Sequence, residues 1–371
     1  MKKIIVMLVV LFLAGNSHAF AEEPKRLDTY VNLWDYSPFN GPPWNKARKS
    51  KIAVLNEQPS LQFAPDDDFP KLDGATAFYP LYAAFVQAVY PAAIMRTVRD
   101  GSQNDNPVTG PFTPEQVKKS NGGLSNRTIV SGDQFMRDNA VVQCSRTGPS
   151  YKSLLGIDTY REWRPDIIFC YEPSSEERDE AAGQDITFNM VPLGYDAFVF
   201  IVNKKNPVNN LTQQQARDIY SGKITNWKSV GGIDREIIPY QRPKNSGSQT
   251  ILEKIMGDTP LAAPRMEAML YTMTSMIEAV ADYANYENAI GYSFRFFTTG
   301  MVNSDEVKIL SIDGVYPSTE TIQNKTYPYF QPFYAVTAGN EKPNTRRFID
   351  WMLSPQGQYL VEKTGYVPVR P

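Results

Sequence analysis

Histidine is nearly absent from this chain. Of 371 residues only His18 is a histidine, and it sits in a segment that reads as a leader peptide, so the mature protein is expected to contain none. The commonest general base, the commonest zinc ligand and the usual middle member of a serine or cysteine triad are thereby removed. A metal site would have to be built from carboxylates, but the runs Asp66-Asp67-Asp68 and Glu176-Glu177 lack the spacing of a calcium loop. Neither a Gly-x-Ser-x-Gly elbow nor a Ser-x-x-Lys motif occurs, which leaves serine hydrolases and penicillin-recognising enzymes without their nucleophile contexts. No catalytic activity, no metal and no other cofactor is expected.

Apolar runs of transmembrane length are also missing. The run Ile4 to Ala14 has eleven residues, against the ~20 that a bilayer demands. With Lys2 and Lys3 before it, and the small-x-small sites Ser17-His18-Ala19 and Ala19-Phe20-Ala21 after it, the segment 1–21 reads as a secretory signal cut after Ala19 or Ala21. No cysteine stands there to take a lipid, so an exported, periplasmic protein is expected. Without Lys2 and Lys3, the 38 basic and 40 acidic residues become a small acidic excess. No global field draws such a chain to nucleic acid or anionic lipid. About 350 mature residues imply roughly two domains.

What is present alternates strands with helices. Residues 22–70 are aromatic and proline-rich without periodicity and read as an extension packed on a domain. Leu72 to Pro80 then reads as a strand and a small-residue turn, with Leu81, Tyr82, Phe85, Val86, Val89 and Tyr90 at helical spacing. Residues 96–127 read as a surface excursion with a short helix at Thr113-Pro114-Glu115-Gln116. Two more strand-then-helix units follow, Ala140 to Cys144 into Ser145 to Ser150, and Asp166 to Cys170 into Glu172 to Ser175. Ala197 to Val202 is an unbroken apolar run suited to a buried strand, and Ala289 to Ser293 reads as another. Thr212 with Gln215 forms a capping box for a helix that Ser221-Gly222 ends, and a second helix runs from Gln249 to a stop at Gly257. Thr345 to Val361 is amphipathic with a break at Ser354-Pro355. The alternation predicts an α/β fold of wound sheets.

The most informative stretch is Gln241-Arg242-Pro243-Lys244-Asn245-Ser246-Gly247-Ser248-Gln249-Thr250. A glycine-serine turn opening a helix directs unpaired amides and hydroxyls at one point, and an arginine four residues upstream adds a charged bidentate donor. The pattern is an anion cradle without the lysine and spacing of a nucleotide P-loop. The turns Ala75-Thr76-Ala77 and Thr147-Gly148-Pro149-Ser150 have the same small, hydroxyl-bearing character. In wound α/β sheets such turns converge beyond the carboxyl ends of the strands.

These features lie within a longer pattern. Leu211-Thr212, Ile219-Tyr220-Ser221-Gly222-Lys223-Ile224-Thr225-Asn226-Trp227, Val230-Gly231-Gly232, Arg242-x-x-x-Ser246-Gly247-Ser248 and Ile290-Gly291-Tyr292 resemble the periplasmic phosphate-binding proteins of ABC importers. Val202 to Val208 and the ending Gly365-Tyr366-Val367-Pro368 fit the same family. The resemblance implies a type II periplasmic binding protein with two α/β lobes and two hinge crossovers, the strands 197–202 and 290–293. Lobe 1 would comprise 71–193 plus 293–371, with the extension 22–70 packed on it, and lobe 2 would comprise 194–292. It implies a monomer that captures a small oxyanion, most of all inorganic phosphate, between the lobes and presents it to a membrane ABC permease. Sulfate, another oxyanion or an organic phosphate is the alternative ligand, and a secreted phosphoryl hydrolase the alternative class.

Carried over by position, the resemblance implies that Thr76 and the backbone of Ala77 face the anion from the first turn and Thr147, with Ser150, from the second. Arg242, Ser246, Gly247 and Ser248 would close on it from the other lobe. After the strand 166–170 the family places a serine and then an aspartate that accepts the proton of hydrogen phosphate. Here those slots hold Cys170 and Tyr171. A tyrosine hydroxyl either donates or accepts, so exclusion of sulfate loses its usual carboxylate, with Glu172 and Asp73 as substitutes. Cys144 and Cys170 end two strands of one lobe in an exported protein. In a 2-1-3 strand order they flank the first strand at ~9–10 Å, beyond the ~7 Å reach of a disulfide. Either the loops bend inward to bridge them or two thiols stand near the cleft.

Overall fold

The computed structural model describes residues 31–39, 50–99, 106–113, 115–116, 137–157, 162–282, 288–339 and 341–370. The expected leader and its cleavage sites lie outside these residues, as do parts of the extension and of the excursion.

The chain builds its first sheet around β1 (Leu72–Gly74). A 3-10 turn at Thr76–Phe78 leads directly into α1 (Tyr79–Val89), whose residues Tyr79 to Val86 are all buried. Glycine is needed at 74 because a Cβ there would lie 2.5 Å from the Phe169 carbonyl oxygen. The excursion holds more order than its polarity suggests. β2 (Arg96–Arg99) and β3 (Pro107–Gly110) form an antiparallel hairpin, and Val98, Val108, Phe112 and Ala140 make a small separate core beneath it. The expected strand 140–144 is reduced to Val142, which bridges Leu72 on one side and Thr109 on the other. Thr113 and Gln116 bond each other's backbone as a helix start requires.

α2 (Thr147–Leu155), β4 (Ile167–Cys170) and α3 (Ser175–Ala182) follow. β4 pairs parallel with β1 on the edge opposite Val142, so β1 lies between the 142 segment and β4, the arrangement in which Cys144 and Cys170 flank the first strand. Both cysteines are free and buried, and no bridge joins them. The Cys144 thiol faces the Gly74 carbonyl at 3.8 Å, and Cys170 Sγ lies 3.4 Å from Ser150 Oγ.

The element that organises the molecule is β5 (Asn189–Asn203), fifteen residues long. β6 (Asn210–Leu211), α4 (Gln213–Tyr220), β7 (Ile238–Pro239), α5 (Gly247–Met256), α6 (Met273–Ala281), β8 (Ala289–Phe294), β9 (Val307–Ile309) and β10 (Ser311–Ile312) come next. α7 (Thr319–Gln323), β11 (Phe330–Thr337), α8 (Pro343–Met352), α9 (Pro355–Thr364) and β12 (Val367–Pro368) complete the chain. From Asn189 to Ala197, β5 pairs antiparallel with β11; from Phe198 to Ile201 it pairs with β8. One strand therefore serves two sheet regions in succession, and the change of partner falls between Ala197 and Phe198. β9 and β10 pair with the second half of β5 and with β6, so residues 307–312 stay with the second region before β11 returns to the first.

Local signals explain the helices. Thr212 and Gln215 form the expected capping box of α4, α5 stops at Gly257 with φ 55°, and Ser354 separates α8 from α9 as its cap. β11 has no such signature, since Pro332 interrupts its pattern; it is held by β4 and β5 on its two edges. The described parts of the extension lie against α1, α8 and α9. The Phe63 ring meets Tyr90 at 5.4 Å and Phe348 at 5.9 Å, and Gln356 accepts from Ser60 N–H.

Candidate functional site

α2 belongs to the first sheet region and α5 to the second, and their N-termini face each other. A Cβ on Gly247, the first residue of α5, would lie 3.0 Å from Thr147 Oγ1, the first residue of α2. Gly148 likewise faces the Asn245 carbonyl, 3.5 Å from where its Cβ would be. Neither helix has a side-chain cap at its N-terminus. Their leading N–H groups lack intrahelical partners by geometry, and two positive dipole ends meet in one place.

Arg242 completes the arrangement. Its backbone N–H donates to the Tyr292 hydroxyl (2.9 Å) and to Gln249 Oε1 (3.1 Å), and Tyr292 in turn donates to Gln249. That triangle fixes where the side chain starts. Its guanidinium donates to Ser248 Oγ (2.9 Å) and to the Tyr271 carbonyl (3.2 Å), while Nε is buried without a partner among the described residues. Neither acceptor is a carboxylate. Burial first, and the neighbouring Arg146 charge second, push its pKa down to about 10, so it stays cationic at neutral pH. A partly buried cation without a counter-charge is costly unless an anion neutralises it.

The other expected residues divide. Thr76 opens the turn after β1 and its hydroxyl lies against the Cys144 thiol. Ala77 is buried, and its carbonyl accepts the Tyr366 hydroxyl at 2.6 Å. Ser246 caps α5 by position but donates to the Pro243 carbonyl at 2.7 Å. Ser150 is fully buried, donates to the Thr147 carbonyl (2.9 Å) and abuts Cys170; its hydroxyl is engaged in packing helix on sheet. Tyr171 is buried as well. Its ring stacks on Phe294 at 3.9 Å, and its hydroxyl donates to Asp196 Oδ2 at 3.3 Å.

Asp196 is the residue that sequence reasoning missed. It sits where β5 changes partners, and it also accepts N–H groups from Ala197 (2.8 Å) and from Phe296 beyond β8 (3.3 Å). Burial raises its pKa to about 6, against the opposing pull of those amides and of Arg295. The available signal was that it is the only charged residue in a fifteen-residue strand. Glu172, one expected substitute acceptor, pairs instead with Lys254 of α5 (3.1 Å) and with Arg178 (3.5 Å). The other, Asp73, turns Oδ1 to the N–H groups of Gly74 and Ser145.

Two sheet regions sharing one long strand, with facing helix N-termini and an arginine bonded at one of them, define a two-lobed α/β binding protein of the type II periplasmic kind. The chain belongs to the PBP superfamily, whose domain model matches residues 135–356. Among similar proteins, the phosphate-binding protein PstS of Borreliella burgdorferi is 28% identical over 256 residues, 67% of this chain and 89% of that protein. The phosphate-binding protein PstS of Bacillus subtilis is 30% identical over 170 residues, 45% of this chain and 53% of that protein. In fold, a substrate-binding protein of a phosphate ABC transporter from Clostridium perfringens, solved with bound phosphate, superposes with a TM-score of 0.53 at 23% identity. It covers 82% of this chain and 100% of that one.

Proposed function

We propose that this protein binds inorganic phosphate between its lobes and hands it to an ABC importer in the cell envelope, after export on the leader 1–21. The observation that carries the proposal is the Arg242 guanidinium, which has no carboxylate partner among the described residues and bonds Ser248 at the uncapped N-terminus of α5, which faces the uncapped N-terminus of α2. Charge-assisted bonds contribute about 1.5–3 kcal/mol each, so a few such donors reach micromolar affinity, about −8 kcal/mol. The names of the Borreliella and Bacillus relatives support phosphate as the anion. In this proposal Thr76, Ala77, Thr147, Arg242, Ser246, Gly247 and Ser248 surround it. Lobe 1 ends within β5 at Ala197, and residues 307–312 move with lobe 2, a division that follows the strand pairing.

The experiment is a thermal-shift panel of phosphate, sulfate, molybdate and phosphate esters. A ligand that binds only the native state raises stability by RT ln(1 + [L]/Kd). Stabilisation by phosphate is expected; a protein stabilised by none of the four would overturn the proposal. Sulfate is the sensitive comparison, because the Tyr171 hydroxyl is directed to Asp196.

A further inference from the structure

Arg146 breaks three local rules at once. It occupies the N-cap of α2, where serine, threonine, asparagine and aspartate are favoured because their side chains accept an amide proton. It places a cation at the positive end of a helix dipole, which opposes it. Its backbone sits at φ 76°, ψ 168°, a region that is essentially glycine's and is strained for a side-chain-bearing residue. The surroundings hold it there: its N–H donates to the Gly74 carbonyl (3.1 Å) and its carbonyl accepts from Ser150 (3.0 Å). The side chain is exposed and forms no ion pair among the described residues. Strained residues of this kind cluster at functional sites.

The position supplies the function. Thr147, the next residue, stands against Gly247, and Ser248, one further along α5, carries the Arg242 guanidinium. We infer that Arg146 is a second cationic contact for the bound anion, so that the site presents two guanidinium groups, one from each lobe, and selects a doubly charged oxyanion. The inference rests on the phosphate reading above. The repulsion that Arg146 exerts on Arg242 agrees with it, since two facing cations are relieved when a dianion lies between them. Tyr171 adds no opposing charge, because burial keeps its hydroxyl protonated and that proton is directed to Asp196.

The test is calorimetric titration with inorganic phosphate of the parent protein and of Arg146→Gly and Arg146→Lys, with thermal unfolding of each without ligand. Arg146→Gly suits the backbone and removes the charge. It is expected to weaken phosphate by at least about tenfold, the value of one charge-assisted contact, and to flatten the salt dependence of binding. Its ligand-free unfolding temperature is expected to be no lower than the parent's. Arg146→Lys is expected to bind more tightly than Arg146→Gly. The inference is overturned if Arg146→Gly binds within twofold of the parent, if it unfolds below the parent so that weaker binding reflects a damaged fold, or if lysine binds no better than glycine. A parent that binds no phosphate overturns the functional proposal instead, and this inference with it.

Discussion

Arg242 and Asp196 are the two residues on which buried charge turns. Arg242 remains protonated at neutral pH despite desolvation, so Arg242→Ala is expected to abolish phosphate binding by calorimetry while leaving the circular dichroism spectrum unchanged. Undiminished affinity would remove it from the site. Asp196 behaves in the opposite way. Burial raises its pKa from 3.8 to about 6, so between about pH 4 and pH 6 the folded state holds a proton that the unfolded state has released. Its contribution to stability is then greatest at low pH and is lost as pH rises through 6. Urea unfolding across this window should show the parent losing stability relative to Asp196→Asn as pH increases; parallel curves would contradict the shift. Arg242 was legible in the sequence because an arginine four residues before Ser-Gly-Ser is a local pattern. Asp196 was not, because its partners Tyr171 and Phe296 are supplied by segments far away in the chain.

At the scale of elements, α2 and α5 depend on glycine where they meet. Any side chain at 247 must share space with Thr147 Oγ1. Overpacking costs about 1–3 kcal/mol, so Gly247→Val is expected to weaken phosphate by roughly tenfold or more without lowering the unfolding temperature of the ligand-free protein. Wild-type affinity in that variant would mean that the helices do not close on the ligand. The helices themselves were readable from short-range chemistry: Thr212 with Gln215, Ser354 before Pro355, Gly257 after Met256. β11 and the β2–β3 hairpin were not. β11 carries a proline and gains its order from β4 and β5 on either side, and the hairpin from the 141–142 backbone to which Thr109 bonds.

For the whole molecule, the two sheet regions are also joined by contacts away from the proposed anion site. Lys254 of α5 reaches Glu172, and Asn245 donates to Glu176 at 2.6 Å. Both pairs tie the α5 region to the segment around the start of α3. The Lys254–Glu172 pair is largely exposed, and exposed pairs are worth about 0–1 kcal/mol. Lys254→Ala should therefore speed phosphate release by no more than about fivefold, measured by stopped flow, and Glu172→Ala should add nothing further in the double variant. A large effect would place Lys254 on the ligand itself.

The sequence by itself determined the alternation of strands and helices, the capped helices, and the donors gathered around Arg242, because each is written in residues close together along the chain. Only the tertiary structure decided which of those donors meet. β5 runs through both sheet regions and so sets α2 opposite α5, bringing Arg146 toward Arg242. The same strand carries Asp196 under Tyr171 and takes its hydroxyl, and α2 packs on β4 with Ser150 turned inward against Cys170. The physical reason is that local chemistry caps a helix or opens a turn, whereas the partner of a buried charge or hydroxyl is set by whichever distant segment the sheet places beside it.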